Sequence, residues 1–226
     1  PAVFDRAIEK YLRDGPRESR LPLSQVSEKV QLAVRPVARL EAAAILADIH
    51  LHEHDYEERG ISEFQKILNE DPENVAAHRG LGYAYFNRHD FDAAMPHLDH
   101  AAAKNPNDWQ VHYYQAMLLS QKQDTEAVGK MEKAALRVTE LNPQFAAGYG
   151  LLGFALMSQH KSIEATVAYE KALKLDPGNE ANTLNLAELY SLQDRPVEAK
   201  ALFLRLQNSP NETIARAARS HLELMK

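Results

Sequence analysis

The feature that most constrains this chain is a period. Five Asp/Asn/Ser-Pro dipeptides, Asp71-Pro72, Asn105-Pro106, Asn142-Pro143, Asp176-Pro177 and Ser209-Pro210, place their prolines 34, 37, 34 and 33 residues apart. Self-similarity at such a period marks a stacked-repeat architecture, in which each unit buries its apolar face against its neighbours rather than in one central core. Each dipeptide joins a good N-cap residue to proline, whose missing N–H is no loss at a first helical position. Each is therefore read as a helix start.

Between these marks one pattern recurs. Leu81-Gly82 is followed by Tyr85, Ala94, Leu98, Ala101 and Pro106, and Leu152-Gly153 by Leu156, Ala165, Tyr169, Ala172 and Pro177. Leu186-Ala187 leads to Tyr190, Ala199, Phe203, Leu206 and Pro210, while a looser first unit runs through Leu46-Ala47, Gly60, Phe64, Ile67 and Pro72. The unit from Ala116 keeps Ala127, Met131 and Ala134 but inserts about one extra helical turn before Pro143. Small residues at Ala47, Gly82, Ala116, Gly153 and Ala187 let a first helix approach its partner closely. Gly60, Ala94, Ala127, Ala165 and Ala199 answer from the second helix. Turns at His89-Asp90, Asp124 and Asp194 join the two. No period-two run bounded by hairpin turns occurs, so no sheet is expected.

These residues resemble the tetratricopeptide repeat (TPR) family, a 34-residue unit with Leu-Gly/Ala, an aromatic three residues later, two further Ala positions and a closing Pro. The resemblance covers roughly Leu40 to Pro210. It implies an all-α, right-handed α-solenoid of helix–turn–helix repeats: five units at about 36–71, 72–105, 106–142, 143–176 and 177–209. N-terminal helices over 1–35 and a capping helix over 211–226 flank them. Departures are the one-residue-longer first unit, Ile67 and Leu206 where alanine is usual, and the enlarged third unit, which is expected to bend the superhelix locally.

The ends carry their own signals. Phe4, Ile8 and Tyr11/Leu12 share a face, as in a second repeat helix lacking its first, which suggests a piece of a longer protein or else an ordinary amphipathic helix. A helix near Ser24–Val34 follows, and Arg35-Pro36 opens the first helix of the first repeat. After Pro210, Ile214, Ala217, Ala218, His221, Leu222 and Met225 form one apolar stripe, read as a cover for the last repeat, since an open solenoid end exposes apolar surface. Self-association through the same stripe is a second use.

Composition narrows the chemistry. The chain has 226 residues and no cysteine, which excludes disulfides, thiolate metal sites and cysteine nucleophiles. With 26 Lys+Arg against 32 Asp+Glu the net charge is -6, against wholesale binding of nucleic acid or an anionic membrane. Residues 1–40 hold eight basic and five acidic residues, a net of +3 that a solvated face explains. The longest apolar stretch, Tyr149–Met157, is about half of the ~20 residues a membrane helix needs, so no membrane insertion is expected.

Among ten histidines the densest cluster is His50-Leu51-His52-Glu53-His54-Asp55. His50 and His54 lie one helical turn apart, but the H-E-x-x-H spacing is missing and no other repeat presents a partner ligand. No metal is expected there. His97 and His100 read as a polar helix face. His78 and His112, each at the fourth position of a first helix, read as packing between hairpins. No phosphate loop, nucleophile elbow or carboxylate pair is evident, so neither enzyme activity nor a cofactor is expected.

The resemblance places a ligand on the concave face, at the second, fifth, sixth, ninth, twelfth and thirteenth residues of each repeat. Here these are Arg79, Tyr83, Phe86 and Asn87, then Gln110, Tyr113, Tyr114, Met117 and Gln121. The fourth repeat adds Leu151, Phe154 and Met157, and the fifth Asn185 and Glu188. Such a groove, aromatic and Met-rich with amides at its edge, suits a peptide or protein segment with apolar or aromatic side chains. Asn87, Gln110 and Asn185 are the expected donors to the ligand backbone. Arg79 is the only cation, so the chaperone-carboxylate clamp of some relatives is not expected. The function expected is a non-enzymatic interaction scaffold; alternatives are the accessory region of a larger peptidase or transferase, and a self-assembling structural module.

Overall fold

A computed structural model describes residues 38–52, 57–122 and 124–225. The expected helices at Phe4–Leu12 and Ser24–Val34, the Arg35-Pro36 opening, and His54 and Asp55 of the histidine cluster lie outside them.

The described residues form eleven helices and no strand: α1 (Arg39–His52), α2 (Glu57–Glu70), α3 (Val75–Asn87), α4 (Phe91–Lys104), α5 (Trp109–Leu119), α6 (Thr125–Leu141), α7 (Ala146–Ser158), α8 (Ser162–Leu175), α9 (Glu180–Leu192), α10 (Pro196–Leu206) and α11 (Glu212–Leu224). Consecutive helices pack on one another. First helices also touch each other, α1 on α3, α3 on α5 and α5 on α7, so they line the inner, tighter side of a right-handed α-solenoid. The extra turn of the third unit falls on α6, which at 17 residues is the longest helix described.

The proline dipeptides do not start helices. Asn105, Asn142 and Asp176 are C-caps of α4, α6 and α8, and the next helix begins about three residues after each proline. The residue before proline is driven out of the α region, so it closes the preceding helix. Its side chain then turns the chain: Asp71 Oδ1 accepts from the Glu73 N–H, and Asp176 Oδ1 from that of Gly178. Capping falls to a second polar residue. Asn74, Asp108, Asn179 and Asn211 accept from the first free N–H groups of α3, α5, α9 and α11, each cap worth about 1 kcal/mol.

Within the hairpins the expected small residues meet. Ala47, Ala116, Ala187, Ala94, Ala165 and Ala199 are fully buried, and Ala127 nearly so. Between hairpins one position repeats as Phe64, Leu98, Met131, Tyr169 and Phe203, none more than 1% exposed. Each contributes about 1.5–3 kcal/mol of burial. Ile67 and Leu206, where alanine is usual, are buried as well, at 3% and 1%. The inter-helix turns are set by left-handed residues, His89 (φ 58°), His160 (φ 60°) and Asp194 (φ 55°). Asp124 instead caps α6, accepting from the Ala127 N–H at 2.8 Å.

At the C-terminal end α11 packs on α9 and α10. Ala215 and Ala218 are buried, Ile214, Leu222 and Met225 pack on the last core cluster, and the His221 ring stacks on Phe203 at 4.6 Å.

Candidate peptide-binding groove

On each first helix the small packing residue, Ala47, Gly82, Ala116, Gly153 or Ala187, is buried, and the next, Asp48, Tyr83, Met117, Phe154 or Glu188, is left partly or fully accessible beside it. Over the first three hairpins this builds a cavity of about 210 Å³ lined by Asp48, His52, Arg79, Gly80, Tyr83, Gln110 and Tyr114. A second hollow of about 290 Å³, between α1, α2 and α3, shares Asp48 and Arg79 with it. Four expected residues thus converge: Arg79, Tyr83, Gln110 and Tyr114. Asp48 and His52 were not foreseen. They occupy the ninth and thirteenth positions of the first repeat, and carrying the same offsets one repeat back finds them.

Aromatic rings run in unbroken contact along this face. His52 stacks on Tyr83 (5.4 Å, 18°), which meets Tyr114 edge-on at 5.1 Å. Tyr114 also contacts Phe86 (5.1 Å) and Tyr113 (5.5 Å). Tyr113 meets Phe145 at 5.0 Å, and Phe145 meets Trp109 at 4.8 Å. Phe145 and Trp109 were missed by periodicity because they sit at helix starts, Phe145 at the cap position of α7 with no side-chain cap bond. Burial, reinforced by the phenols of Tyr83 and Tyr113, pushes the Tyr114 phenol up, and burial does the same to Tyr113. Both stay neutral donors at any ordinary pH.

Arg79 reaches Asp108 at 3.4 Å, and Asp108 also caps α5. Asn87 and Gln121 are exposed at helix ends, Gln121 donating to the Ser120 hydroxyl at 3.3 Å. Met117 is half-buried, and Phe154 is 37% exposed on α7. Met157 packs against the core cluster that holds Leu156 and Tyr169. Asn185 donates to the Tyr169 hydroxyl at 2.9 Å, and Glu188 lies 3.7 Å from His221 of α11. These last residues lie outside the cavity, and Asn185 has an internal partner.

The histidines are organised differently from the expected polar face. His97 and His100 are half-buried against His78: the His78 and His97 Nδ1 atoms are 2.8 Å apart, and the His100 ring stacks on His78 at 3.9 Å. His78 and His112, equivalent positions, each place Nε2 on the preceding proline carbonyl, Pro72 at 2.9 Å and Pro106 at 3.0 Å. A polar first-helix residue thereby ties its helix to the turn before it. Burial, with neighbouring His78 and His100, pushes the His97 imidazole below its ordinary value. His50 bonds Glu63 at 2.7 Å. Burial opposes ionisation of Glu63, but the bonds from Arg59 and His50 outweigh it and hold the carboxyl low. Among the described residues no group of three or more His, Asp or Glu is placed to hold a metal, and no helix is long and apolar enough to cross a membrane.

Helical hairpins at this period, with small residues interlocked and first helices lining a concave face, define an α-solenoid of the repeat-scaffold class. Residues 41–121 and 156–222, more than half of the chain, match the tetratricopeptide repeat, and the chain belongs to that family. It is 34% identical over 111 residues to a Hsp70-Hsp90 organizing protein of Triticum aestivum, covering 49% of this chain and 18% of that protein. It is 32% identical over 151 residues to cellulose synthase operon protein C of Xanthomonas axonopodis pv. citri (strain 306), covering 63% and 10%. The chain therefore spans less than a fifth of the length of either relative. Among solved structures it is similar to YrrB, described as a TPR protein with an unusual peptide-binding site (TM-score 0.68, 18% identity, 79% of this chain and 90% of that one). It is also similar to MamA (TM-score 0.63, 22% identity, 72% and 93%). These two likenesses concern the fold. Family membership carries the role of a protein-interaction scaffold.

Proposed function

We propose that the chain is a non-catalytic scaffold that holds a peptide or protein segment on its concave face. Apolar or aromatic ligand side chains lie against Tyr83, Phe86, Tyr113, Tyr114, Met117, Phe154 and Met157, while Asn87 and Gln110 bond the ligand backbone. The observation that carries this reading is the cavity at Tyr83 and Tyr114, where a run of touching rings is open to solvent. Half-buried aromatics held rigid by their neighbours, with one face still accessible, are the groups that anchor interfaces, because little side-chain entropy is lost on binding. Asn185, given to the ligand on sequence grounds, is better read as support for Tyr169, and Glu188 as the groove's acidic end.

Selection of a random peptide library on the full chain tests the proposal. Tyr113→Ala with Phe154→Ala abolishes enrichment of apolar and aromatic peptides while helical circular dichroism stays intact. Unchanged enrichment would overturn the concave assignment.

The matched relatives contain this segment within much longer proteins, which supports a second reading: a recognition region serving a larger assembly or enzyme. Sequencing the surrounding reading frame separates that case from a free-standing scaffold.

A further inference from the structure

A third hollow, independent of the concave groove, opens between α4, α5 and α6 with a volume of about 390 Å³. Four cations rim it: Lys122 from the turn before α6, and Lys130, Lys133 and Arg137 from α6. Its floor is apolar, made of Met95, Leu119 and Ala134. In a chain of net charge -6 this concentration of positive charge runs against the overall balance.

The repeats supply an internal comparison. Counted from the small residue that packs each second helix (Gly60, Ala94, Ala127, Ala165, Ala199), the residues three, six and ten further on face the same region. They read Glu63, Lys66, Glu70 in the first unit and His97, His100, Lys104 in the second. In the fourth and fifth they read Ala168, Lys171, Leu175 and Leu202, Arg205, Ser209. Only the third unit places permanent cations at all three. In the second unit the equivalent space is filled, His97 and His100 packing on His78. In the third, His112 holds the same place as His78, but the lysines stand off and the space remains open. Like charges three and four residues apart destabilise a helix by a few tenths of a kcal/mol, so the stripe is not explained by helix stability.

The cations differ in readiness. Arg137 is positioned: Nε donates to the Pro106 carbonyl at 3.2 Å, and Nη2 to Asn107 at 2.7 Å. Its remaining Nη1 is bonded to Glu140 at 2.9 Å, which leaves two of its five N–H groups unused. Lys130 pairs with Glu126 at 2.7 Å, whereas Lys122 and Lys133 have no ion-pair partner among the described residues. The one acid in the lining, Asp99, accepts from Gln115 at 2.7 Å and joins Glu126 in holding the Lys130 ammonium charged, which leaves Lys122, Lys133 and Arg137 to face a ligand.

We propose that this outer pocket binds an acidic peptide segment, its carboxylates between Lys122, Lys133 and Arg137 and an apolar side chain on Met95 and Leu119. A fixed guanidinium beside mobile ammonium groups suits carboxylates. The apolar floor favours a peptide over a bare small anion, and the one ring in the lining, His112, is tied at both nitrogens to Gln115 and the Pro106 carbonyl, with no Tyr, Phe or Trp beside it to build a stacking platform for nucleic-acid bases.

The test is fluorescence anisotropy on the full chain with a dye-labelled, N-acetylated Asp-Glu-Leu-Asp-Glu peptide, its Lys-Lys-Leu-Lys-Lys counterpart, and inorganic phosphate as competitor. Saturable, salt-sensitive binding of the acidic peptide alone is expected. It is weakened about tenfold or more by Lys122→Glu with Lys133→Glu, and unaffected by Lys66→Glu with Lys200→Glu, equally exposed lysines elsewhere. Absence of binding, equal loss in both double variants, equal binding of the basic peptide, or full displacement by phosphate at the peptide's own concentration would each overturn the proposal. So would sizing chromatography that shows the wild type, and not the Lys122/Lys133 variant, to self-associate, since the occupant would then be a second copy.

Discussion

Two glycine-to-alanine substitutions of identical chemistry should have different effects on stability, one raising it and the other not. Gly129 lies inside α6, and a Cβ built there meets nothing within 4 Å. Gly129→Ala gains helix propensity, about 0.8–1 kcal/mol, at no packing cost. Gly153 lies inside α7 at the crossing with α8. A Cβ there would stand 2.9 Å from three ring carbons of Tyr169, a side chain with no exposed surface whose hydroxyl is held by Asn185. The ring has nowhere to go, so α7 and α8 must part, an overpacking cost of about 1–3 kcal/mol. Gly153→Ala keeps the same propensity gain and so nets out between neutral and about 2 kcal/mol destabilising. Because propensity cancels, the difference between the two variants isolates the packing term. Urea denaturation followed by far-ultraviolet circular dichroism and by intrinsic fluorescence reads it, with coincident curves as the check that one transition is measured. Equal stabilisation by both substitutions would refute the claim that small residues hold these helices close.

Tyr169→Phe removes the acceptor of the Asn185 amide and should cost about 1 kcal/mol, with a coupling of similar size to Asn185→Ala in a double-mutant cycle; zero coupling would return Asn185 to the ligand. Stability should also fall as the medium is acidified. Burial and the neighbouring His78 and His100 lower the folded-state pKa of His97, so the unfolded chain takes the proton first. Stability is complete above the unfolded imidazole value near 6.5 and is lost as pH falls toward the lower folded value, at no more than about 1.4 kcal/mol per pH unit for one proton. Around it stand the Tyr85 ring, then His100, then Glu73, which is itself bonded to Lys104 and held low by that lysine, so it weakens in the same direction at more acid pH. His97→Phe should flatten the imidazole part of the profile in urea midpoints; an unchanged slope would place the proton elsewhere.

The repeat was legible because its signals are local and redundant. Leu98, Met131, Tyr169 and Phe203 share one spacing from a small residue, and five copies make that spacing stand out against any single substitution. The misreading of Asp71-Pro72 and its equivalents has the same origin. Asp71 and Asn74 are both good capping residues three apart, and propensity alone does not rank them. The restriction that proline places on the residue before it does, turning Asp71 into a helix stop and leaving the cap to Asn74. Tyr83, Tyr114, Gln110 and Arg79 were legible as a groove by offset within the repeat. Asp48, His52, Phe145 and Trp109 were less legible, the first pair because the first repeat matches the pattern more loosely, the second because helix-start residues have no fixed phase.

By itself, then, the sequence determined the helix–turn–helix unit and the small and large residues through which its helices pack. These follow from the chain's own periodicity, which acts between residues a few positions apart. Tertiary structure alone decided which equivalent positions close up and which stay open. At matching offsets the second unit collapses three imidazoles onto one another, while the third holds its lysines apart over an apolar floor. That difference depends on the volume, charge and solvation of side chains brought together from three helices, and no spacing along one helix records it.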